Sequence, residues 1–331
     1  MRRRDFVKAA AVSAVTWPLA ARAQQPAKET AMPVVGFLHG GSATAFPAQV
    51  AAFRDGLRSE GFVDGQNIAI VFRWAEGHFD KLPELTDELI RAHAAVIAAV
   101  GGDIVAHAAM KETSETPIVF MIGQDAVKSG LVASLNRPTG NVTGVTLFVP
   151  LLVPKQMELI HMIATKATVM AVLRNPDNAT VLPEPQELEE AARANGMKLL
   201  LLNATTLDEI DASFATASAA GAGAMLIPGD VFFTSRRDRM LALAVAHAIP
   251  TIYPFREYVT AGGLVSYGNN LNRVARLAAT YVARILRGEK PGELPVEQPS
   301  KFELSINLKT AKLLRLMIPD KLLATADEVI E

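Results

Sequence analysis

The sequence predicts an α/β fold in which two lobes, joined by crossover strands, each contain a doubly wound parallel sheet. Two observations lead to this prediction. Short apolar runs rich in β-branched residues alternate with longer segments of helical spacing, an order typical of parallel sheets covered by helices. The chain also has 331 residues, more than one hydrophobic core usually holds, so two domains of ordinary size are expected.

In the first half of the chain, apolar runs predicted to be strands are separated by longer segments predicted to be helices, and several of each are clear. The strands are Val34–Leu38, Ala95–Val100 and Ile118–Ile122, and the helices are Pro47–Glu60 and Lys81–Ala92. The second half repeats this order with five strands and three helices. Its strands are Val169–Leu173, Lys198–Asn203, Ala224–Ile227, Thr251–Phe255 and Leu264–Tyr267, and its helices are around Pro185–Ala194, Asp208–Ala219 and Ser235–His247.

The two halves show weak internal symmetry. Val34 is as far in sequence from Gly61 as Val169 is from Gly196, and both glycines follow a predicted helix, where a left-handed residue is needed. Two doubly wound sheets gather their loops at the carboxyl ends of their strands. We therefore expect the strand ends of the two halves to face each other across a cleft.

Candidate ligand-binding residues lie in the loops that follow these strands. Glycines there leave backbone N–H groups open to a carboxylate, acidic side chains could bind an amino group, and aromatic rings could stack on an organic ligand. The alternative is that the glycines form ordinary tight turns and the acids cap helices. The candidates are Gly41, Ser42, Gly101, Gly102, Asp125, Asn175, Asp230, Phe232, Glu257 and Tyr267.

The N-terminus has the pattern of a twin-arginine export signal, predicted to span residues 1–23. A basic head, Arg2–Lys8, contains R-R-x-F-x-K, an apolar stretch runs from Ala9 to Ala20, and an A-x-A pattern ends at Ala23. The apolar stretch is shorter than the roughly 20 residues that a membrane span needs. We expect cleavage near Ala23 and a periplasmic protein without a direct membrane anchor.

Composition and motifs argue against several other classes of protein. A formal net charge of -1 gives no reason to expect nucleic-acid binding, and the absence of cysteine excludes disulfides, thiolate metal sites, cysteine nucleophiles and lipid attachment through cysteine. The six histidines have no metal-ligand spacing. Nucleotide-binding and serine-hydrolase motifs are missing as well. We therefore expect no cofactor, no metal site, no catalytic residues and no enzymatic activity, and we interpret Ser235–Asp238 as a capping box.

Several segments give the chain a resemblance to the ABC-transporter substrate-binding family that includes tryptophan- and tyrosine-importer binding proteins. Two of them are quite specific together: Asn-Val-Thr-Gly-Val and Asn-Leu-Lys-Thr-Ala. The segments are residues 33–38, 117–125, 136–145, 285–291 and 302–311. The resemblance implies the type I periplasmic binding fold. It also implies an inner-membrane permease and a cytoplasmic ATPase as partners.

The lobes are expected at 33–147 plus about 270–302, and at 148–269 plus about 303–331. We expect a monomer that closes on a small-molecule ligand. The chain departs from family members that bind aromatic amino acids at two positions, since Gly101-Gly102 replaces a threonine-containing loop and Asp125-Ala126 replaces Asp-Pro. Arg174 and Arg256 would also suit an acid that lacks an amino group.

Two alternatives stay open at this point. A periplasmic sensor subunit of a two-component system would use the same cleft. An exported α/β enzyme is the second alternative, which the lack of any nucleophile and base pair disfavours.

Overall fold

The computed structural model describes residues 32–331. The predicted export signal, residues 1–23, lies outside the described residues. Among the residues that are described, no helix is both long and apolar enough to cross a membrane.

The first lobe is built on a five-stranded parallel sheet with the order β2-β1-β3-β4-β5. Its strands and helices alternate until β4, after which β5 follows directly. In chain order they are β1 Val34–His39, α1 Pro47–Ser59, β2 Ala69–Trp74, α2 Leu82–Arg91, β3 Ala94–Val100, α3 Asp103–Glu112, β4 Ile118–Ile122 and β5 Val142–Thr146.

The second lobe begins after β5 and contains a seven-stranded sheet. In chain order its first part is α4 Val149–Ile163, β6 Val169–Arg174, α5 Pro185–Ala194, β7 Lys198–Asn203, α6 Leu207–Ala219, β8 Ala224–Leu226, α7 Val231–Ser235, α8 Arg237–Ala246, β9 Thr251–Tyr253, α9 Arg256–Thr260 and β10 Val265–Asn269. These five strands are parallel and have the order β7-β6-β8-β9-β10.

The chain then crosses back to the first lobe and returns once more. Helix α10, Leu271–Leu286, packs on α1 so closely that a Cβ at Gly56 would lie 2.7 Å from the Cβ of Ala279. The second sheet is completed by an antiparallel strand and a strand parallel to it. The closing elements are β11 Phe302–Asn307, α11 Leu308–Leu313, α12 Asp320–Leu323 and β12 Glu328–Ile330.

The predicted fold class is confirmed, because the five parallel strands of each lobe follow the same 2-1-3-4-5 order. In such sheets ligands bind beyond the carboxyl ends of the strands, where the strand order reverses. That point lies between β1 and β3 in the first lobe and between β6 and β8 in the second. The predicted left-handed glycines are also confirmed, with φ of +84° at Gly61 and +69° at Gly196.

One predicted helix is wrong in its extent. The segment Ser235–His247 is divided into α7, which ends at Ser235, and α8, which begins at Arg237. The predicted capping box at Ser235 is therefore also wrong, because Ser235 is the last residue of α7 and its hydroxyl has no hydrogen-bond partner among residues 32–331. A capping box does occur at Thr206 and Glu209, where α6 begins.

Candidate functional site

A cavity of about 50 Å³ lies between the two lobes at the strand ends. The first lobe lines it with the loops after β1, β3, β4 and β5 and with the first turn of α1. The second lobe lines it with the loops after β6, β8 and β9. A space of this size holds a few water molecules. Its walls combine apolar side chains with a small number of polar groups, as is usual for organic ligands.

His39, the last residue of β1, is fixed in one neutral form. The backbone N–H of Gly41 donates to its Nδ1 at 2.8 Å, so the ring proton is on Nε2, 3.3 Å from Oε1 of Gln49. Burial lowers the pKa of His39 to about 3. The imidazole therefore stays uncharged near neutral pH. It orients the amide of Gln49 at the cavity wall.

Asp230 places a carboxylate at the cavity from the second lobe. It is the N-cap of α7, is completely buried, and accepts a hydrogen bond from the backbone N–H of Phe233 at 2.9 Å. Its other oxygen accepts from the side-chain amides of Asn178 at 2.8 Å and Asn175 at 3.2 Å. Burial raises the pKa of Asp230, and these hydrogen bonds oppose that rise. The carboxylate is held in one orientation by three donors.

Gln124, just after β4, joins the lobes on one side of the cavity. Its Nε2 lies 3.0 Å from Oγ1 of Thr180 and 3.5 Å from Oδ1 of Asn178, both in the second lobe. Because the amide nitrogen faces these two oxygens, Oε1 must act as an acceptor. It is buried and has no hydrogen-bond partner among residues 32–331, so it offers an acceptor to a donor group in the cavity.

The glycines at the strand ends mainly permit close packing. Gly101 has φ of +100°, and a Cβ there would lie 3.1 Å from Val231 of the second lobe. A Cβ at Gly123 or at Gly229 would lie 3.2 or 2.9 Å from Val149, the first residue of α4. Gly102 differs, because a Cβ built there meets nothing within 4 Å. This residue leaves room beside the first turn of α3.

The structure brings three of the sequence-predicted site residues to the cavity: Gly101, Gly102 and Asp230. Asn175 lies behind Asp230 and holds its carboxylate. Glu257 lies in a neighbouring cavity of about 250 Å³.

The other predicted residues lie outside the cavity lining. Gly41 donates its N–H to His39, and Ser42 is hydrogen-bonded to Thr44. The carboxylate of Asp125 accepts the backbone N–H groups of Val127 and Lys128, so it caps the turn at residues 126–130 and not a helix. Phe232 lies under the guanidinium of a neighbouring arginine and Tyr267 lies against Phe302, as parts of the packed interior of the second lobe.

The two arginines proposed for an acidic ligand do not line the cavity. Arg256 forms a bidentate ion pair with Glu328 of β12, at 2.6 and 2.5 Å. Arg174 ends β6 and is likewise missing from the cavity wall. The first turn of α3 begins beside the cavity-lining Gly102, and its backbone N–H groups and the positive end of its helix dipole favour an anion.

Sequence reasoning missed several residues that line the cavity. Gln124 stands beside the predicted Asp125, and Phe255 was assigned to a strand, although it follows β9 and faces the cavity. Phe46 and Gln49 come from the start of α1, and Asn178 comes from the 3-10 segment Pro176–Val181. The order of strand ends could have indicated Gln124, but the other positions depend on how the two lobes meet.

Comparison with known proteins gives a consistent result over nearly the whole described chain. The family model for ABC transporter substrate binding protein matches residues 34–330. A tyrosine-binding protein of Clostridioides difficile strain R20291 is 26% identical over 263 residues, which cover 79% of this chain and 75% of that relative.

Solved structures share the same architecture. A conserved domain protein of Vibrio cholerae has a TM-score of 0.82 at 26% identity, with 90% of this chain and 99% of that chain covered. An ABC domain of Streptococcus pneumoniae in complex with L-Trp has a TM-score of 0.82 at 23% identity, with the same coverage. The ligand-free, open structure of CD0873 from Clostridium difficile has a TM-score of 0.65 at 25% identity, again with the same coverage.

Proposed function

Since this chain belongs to the ABC transporter substrate binding protein family, we propose that it is an exported receptor for an amino acid or a related small carboxylate. In this proposal the solute binds in the cavity between the lobes. The closed receptor then delivers it to an inner-membrane permease coupled to a cytoplasmic ATPase. The protein acts as a monomer in the periplasm after removal of residues 1–23.

The observation that carries this proposal is the cavity at the facing strand ends. Both lobes contribute to its walls, so a solute there contacts both and stabilises their closed arrangement by its differential contacts. The TM-score is 0.82 to the L-Trp complex but only 0.65 to the ligand-free, open structure, although identity and coverage are similar. We expect this difference if the lobes of this chain are arranged as in a closed form.

The lobes contact each other on both sides of the cavity. Gln124 bonds to Thr180 on one side, and Nη1 of Arg237 donates to the carbonyl oxygen of Ala45 at 2.9 Å on the other. These contacts connect the first lobe to the second directly. Opening of the lobes would break these contacts. A ligand with a micromolar dissociation constant has a binding free energy of about −8 kcal/mol, which includes the free-energy change of lobe closure.

A thermal-shift screen of the mature protein tests the proposal. The panel contains the common amino acids, aromatic acids and short organic acids. A ligand at 100 times its dissociation constant should stabilise the protein by about 2.7 kcal/mol. Small-angle scattering should then show a smaller radius of gyration with that ligand. If no compound of these classes raises the melting temperature, the proposed function is wrong.

A further inference from the structure

A broad surface groove lies at the end of the second lobe that is remote from the ligand cavity. Its volume is about 800 Å³. Its lining residues Ala167, Gly223 and Pro250 stand shortly before β6, β8 and β9, so the groove opens at the amino ends of these strands. The ligand cavity lies at their carboxyl ends. A partner bound at the groove would therefore leave the ligand cavity free.

The loop after α11, which forms one side of the groove, is held by alternate apolar residues. Leu314, Leu316 and Ile318 pack against the apolar core of the second lobe. Met317, between two of them, is 90% exposed, and Leu313, the last residue of α11, is 69% exposed. Because the inward residues already secure the loop, the two protruding side chains contribute little to the fold.

Exposed cationic side chains accompany this protruding pair. They lie on α11, in the loop, on α12 and just after α4, and none forms an ion pair within 4.0 Å among residues 32–331. Residues 308–321 contain a single carboxylate, that of Asp320, although the whole chain has a formal net charge of -1. This end of the lobe is therefore locally basic. The cations are Lys166, Lys309, Lys312, Arg315 and Lys321.

Arg315 occupies a backbone position that favours glycine. Its φ is +55°, and it is the left-handed residue that ends α11, because the N–H of Leu316 donates to the carbonyl oxygen of Ala311 at 2.9 Å. A side chain in this conformation is strained. The guanidinium is thus present in spite of the backbone, which points to a role for its charge outside the fold.

Protruding apolar side chains among unpaired cations match the surface of an anionic lipid bilayer. Leu313 and Met317 can enter the headgroup region while the cations meet the lipid phosphates. A second copy of the chain fits less well, because a symmetric pair places the same patch on both sides and would bring like charges together. A soluble acidic segment would pair with the cations but would give the two apolar side chains no apolar medium to enter.

We propose that residues 308–321, together with Lys166, form a surface that binds reversibly to membranes rich in anionic phospholipids. The apolar pair Leu313 and Met317 inserts between headgroups, and the five cations lie at the level of the phosphates. Such binding would keep an exported receptor close to the bilayer. The surface is separate from the ligand cavity, so its test needs no ligand and is independent of the proposed function.

Co-sedimentation of the mature protein with lipid vesicles tests this surface. One set of vesicles contains phosphatidylcholine alone, and the other contains phosphatidylcholine and phosphatidylglycerol in equal parts. Wild-type protein should bind the anionic vesicles at least about tenfold more tightly than the neutral ones, since each Lys or Arg near an anionic surface contributes to binding. The difference should shrink as salt is added, because salt screens exposed charges.

Two variants separate the apolar from the electrostatic contribution. The double variant Leu313→Gln with Met317→Gln should weaken binding to anionic vesicles about tenfold, because it removes the groups that insert. Arg315→Gly should weaken binding about fivefold through the loss of one cation. The same variant places glycine at a φ of +55°, so its melting temperature should equal or exceed that of wild type. A purely structural role for Arg315 would instead lower the melting temperature and leave vesicle binding unchanged.

Matched controls change equally exposed residues on other surfaces. The apolar control is Leu151→Gln with Leu207→Gln, whose side chains are 71% and 50% exposed, and the charge control is Lys111→Gln on α3. Both should bind vesicles as wild type does. If wild-type protein binds neither kind of vesicle, binds both equally, or loses as much affinity in the controls, the proposal is wrong.

Two further results would identify a different partner and would also overturn the proposal. If soluble polyglutamate binds as tightly as anionic vesicles, and the double variant at Leu313 and Met317 binds vesicles as wild type does, the surface recognises an acidic protein segment. If wild-type protein forms dimers in analytical ultracentrifugation that this double variant abolishes, and does not bind vesicles, the surface is an interface between copies.

Discussion

The loop after β3 in the first lobe and the loop after β8 in the second occupy equivalent positions, and in both a glycine precedes an aspartate. Gly102 is the N-cap of α3, so Asp103 is the first helical residue and accepts a long 3.4 Å hydrogen bond from Thr180. In the second lobe Asp230 is itself the N-cap of α7 and accepts three hydrogen bonds. Relative to its aspartate, α7 begins one residue later than α3 does. The carboxylate of Asp230 therefore caps its helix, whereas that of Asp103 does not.

This difference divides the chemistry of the cavity between the lobes. The first lobe presents the N–H groups of a glycine-capped helix and neutral amides, because a glycine N-cap has no side chain to accept from those groups. The second lobe presents the buried carboxylate of Asp230 and, in the neighbouring cavity of about 250 Å³, Arg237 and Glu257. Similar strand order therefore supports two unlike binding surfaces. Substitutions at equivalent positions of the two lobes should therefore differ in their effects on stability and on ligand binding.

The largest difference is expected between Asp230→Ala and Asp103→Ala. Removing the Asp230 carboxylate leaves one buried backbone N–H and two buried amides without an acceptor, which should lower the free energy of unfolding by about 3 kcal/mol. Asp103→Ala removes a first-turn charge and should cost about 0.5 kcal/mol. Urea unfolding of both variants measures the two losses. Equal losses would show that the helix-start difference has no energetic consequence.

The next effect is expected at the glycines of the same two loops. Gly101→Ala forces a side chain into φ of +100°, with its Cβ 3.1 Å from Val231 and 3.2 Å from the backbone nitrogen of Gly40, so we expect a loss of about 2 kcal/mol. Gly229→Ala needs only small shifts of the side chains of Val149 and Phe255, whose nearest atoms would lie 2.9 and 3.3 Å from the new Cβ, and it should cost about 1 kcal/mol. Thermal unfolding should rank them in this order. The reverse order would mean that contact with α4 matters more than backbone conformation.

A smaller effect is expected at the neutral amide of the first lobe. Gln124→Leu removes the acceptor Oε1 and the hydrogen bond to Thr180. We expect it to raise the dissociation constant about tenfold for the amino acid that gives the largest thermal shift. Thr180→Val removes the same bond between the lobes but keeps Oε1 in the cavity, so its effect on the dissociation constant should be less than about threefold. Titration calorimetry on both variants and on the double variant measures the coupling. If Thr180→Val weakens binding as much as Gln124→Leu, the contact between lobes, and not the acceptor, determines affinity.

The sequence predicted the strands well because each is a short apolar run between glycines, prolines and polar residues. It did not predict the break at Arg236, because helical spacing continues from α7 into α8 and the S-x-x-D pattern at Ser235 fits a capping box locally. A tertiary contact is involved there, since a Cβ at Gly41 of the first lobe would lie 2.9 Å from Oγ of Ser235. A contact between distant segments has no local sequence signal.

The site was predictable where topology alone determines it. Asp230 and Gly102 follow strands whose ends must gather at the switch points, so their positions could be predicted from strand order. Gln49 lies on a helix and Asn178 lies in a 3-10 segment, and neutral amides belong to no binding motif. Glu257 was predicted, but Arg237, which lines the same neighbouring cavity, was considered only as part of the predicted capping box at Ser235–Asp238.

The smallest effect concerns Glu257 in the absence of ligand. Because burial raises the pKa of Glu257 in the folded protein above its ordinary value of 4.5, the folded state binds this proton more tightly than the unfolded state. The stability gained from protonation is present below pH 4.5 and is lost as the pH rises through the folded-state pKa. Glu257→Gln has no such loss, so the variant should become more stable relative to wild type as the pH rises from 4 to 8. Melting temperatures across this range test the sign. If the melting temperatures of wild type and variant change with pH in parallel, Glu257 is not a buried, incompletely paired carboxylate. Asp230 is present in both proteins, so its own titration does not affect the difference between the two curves.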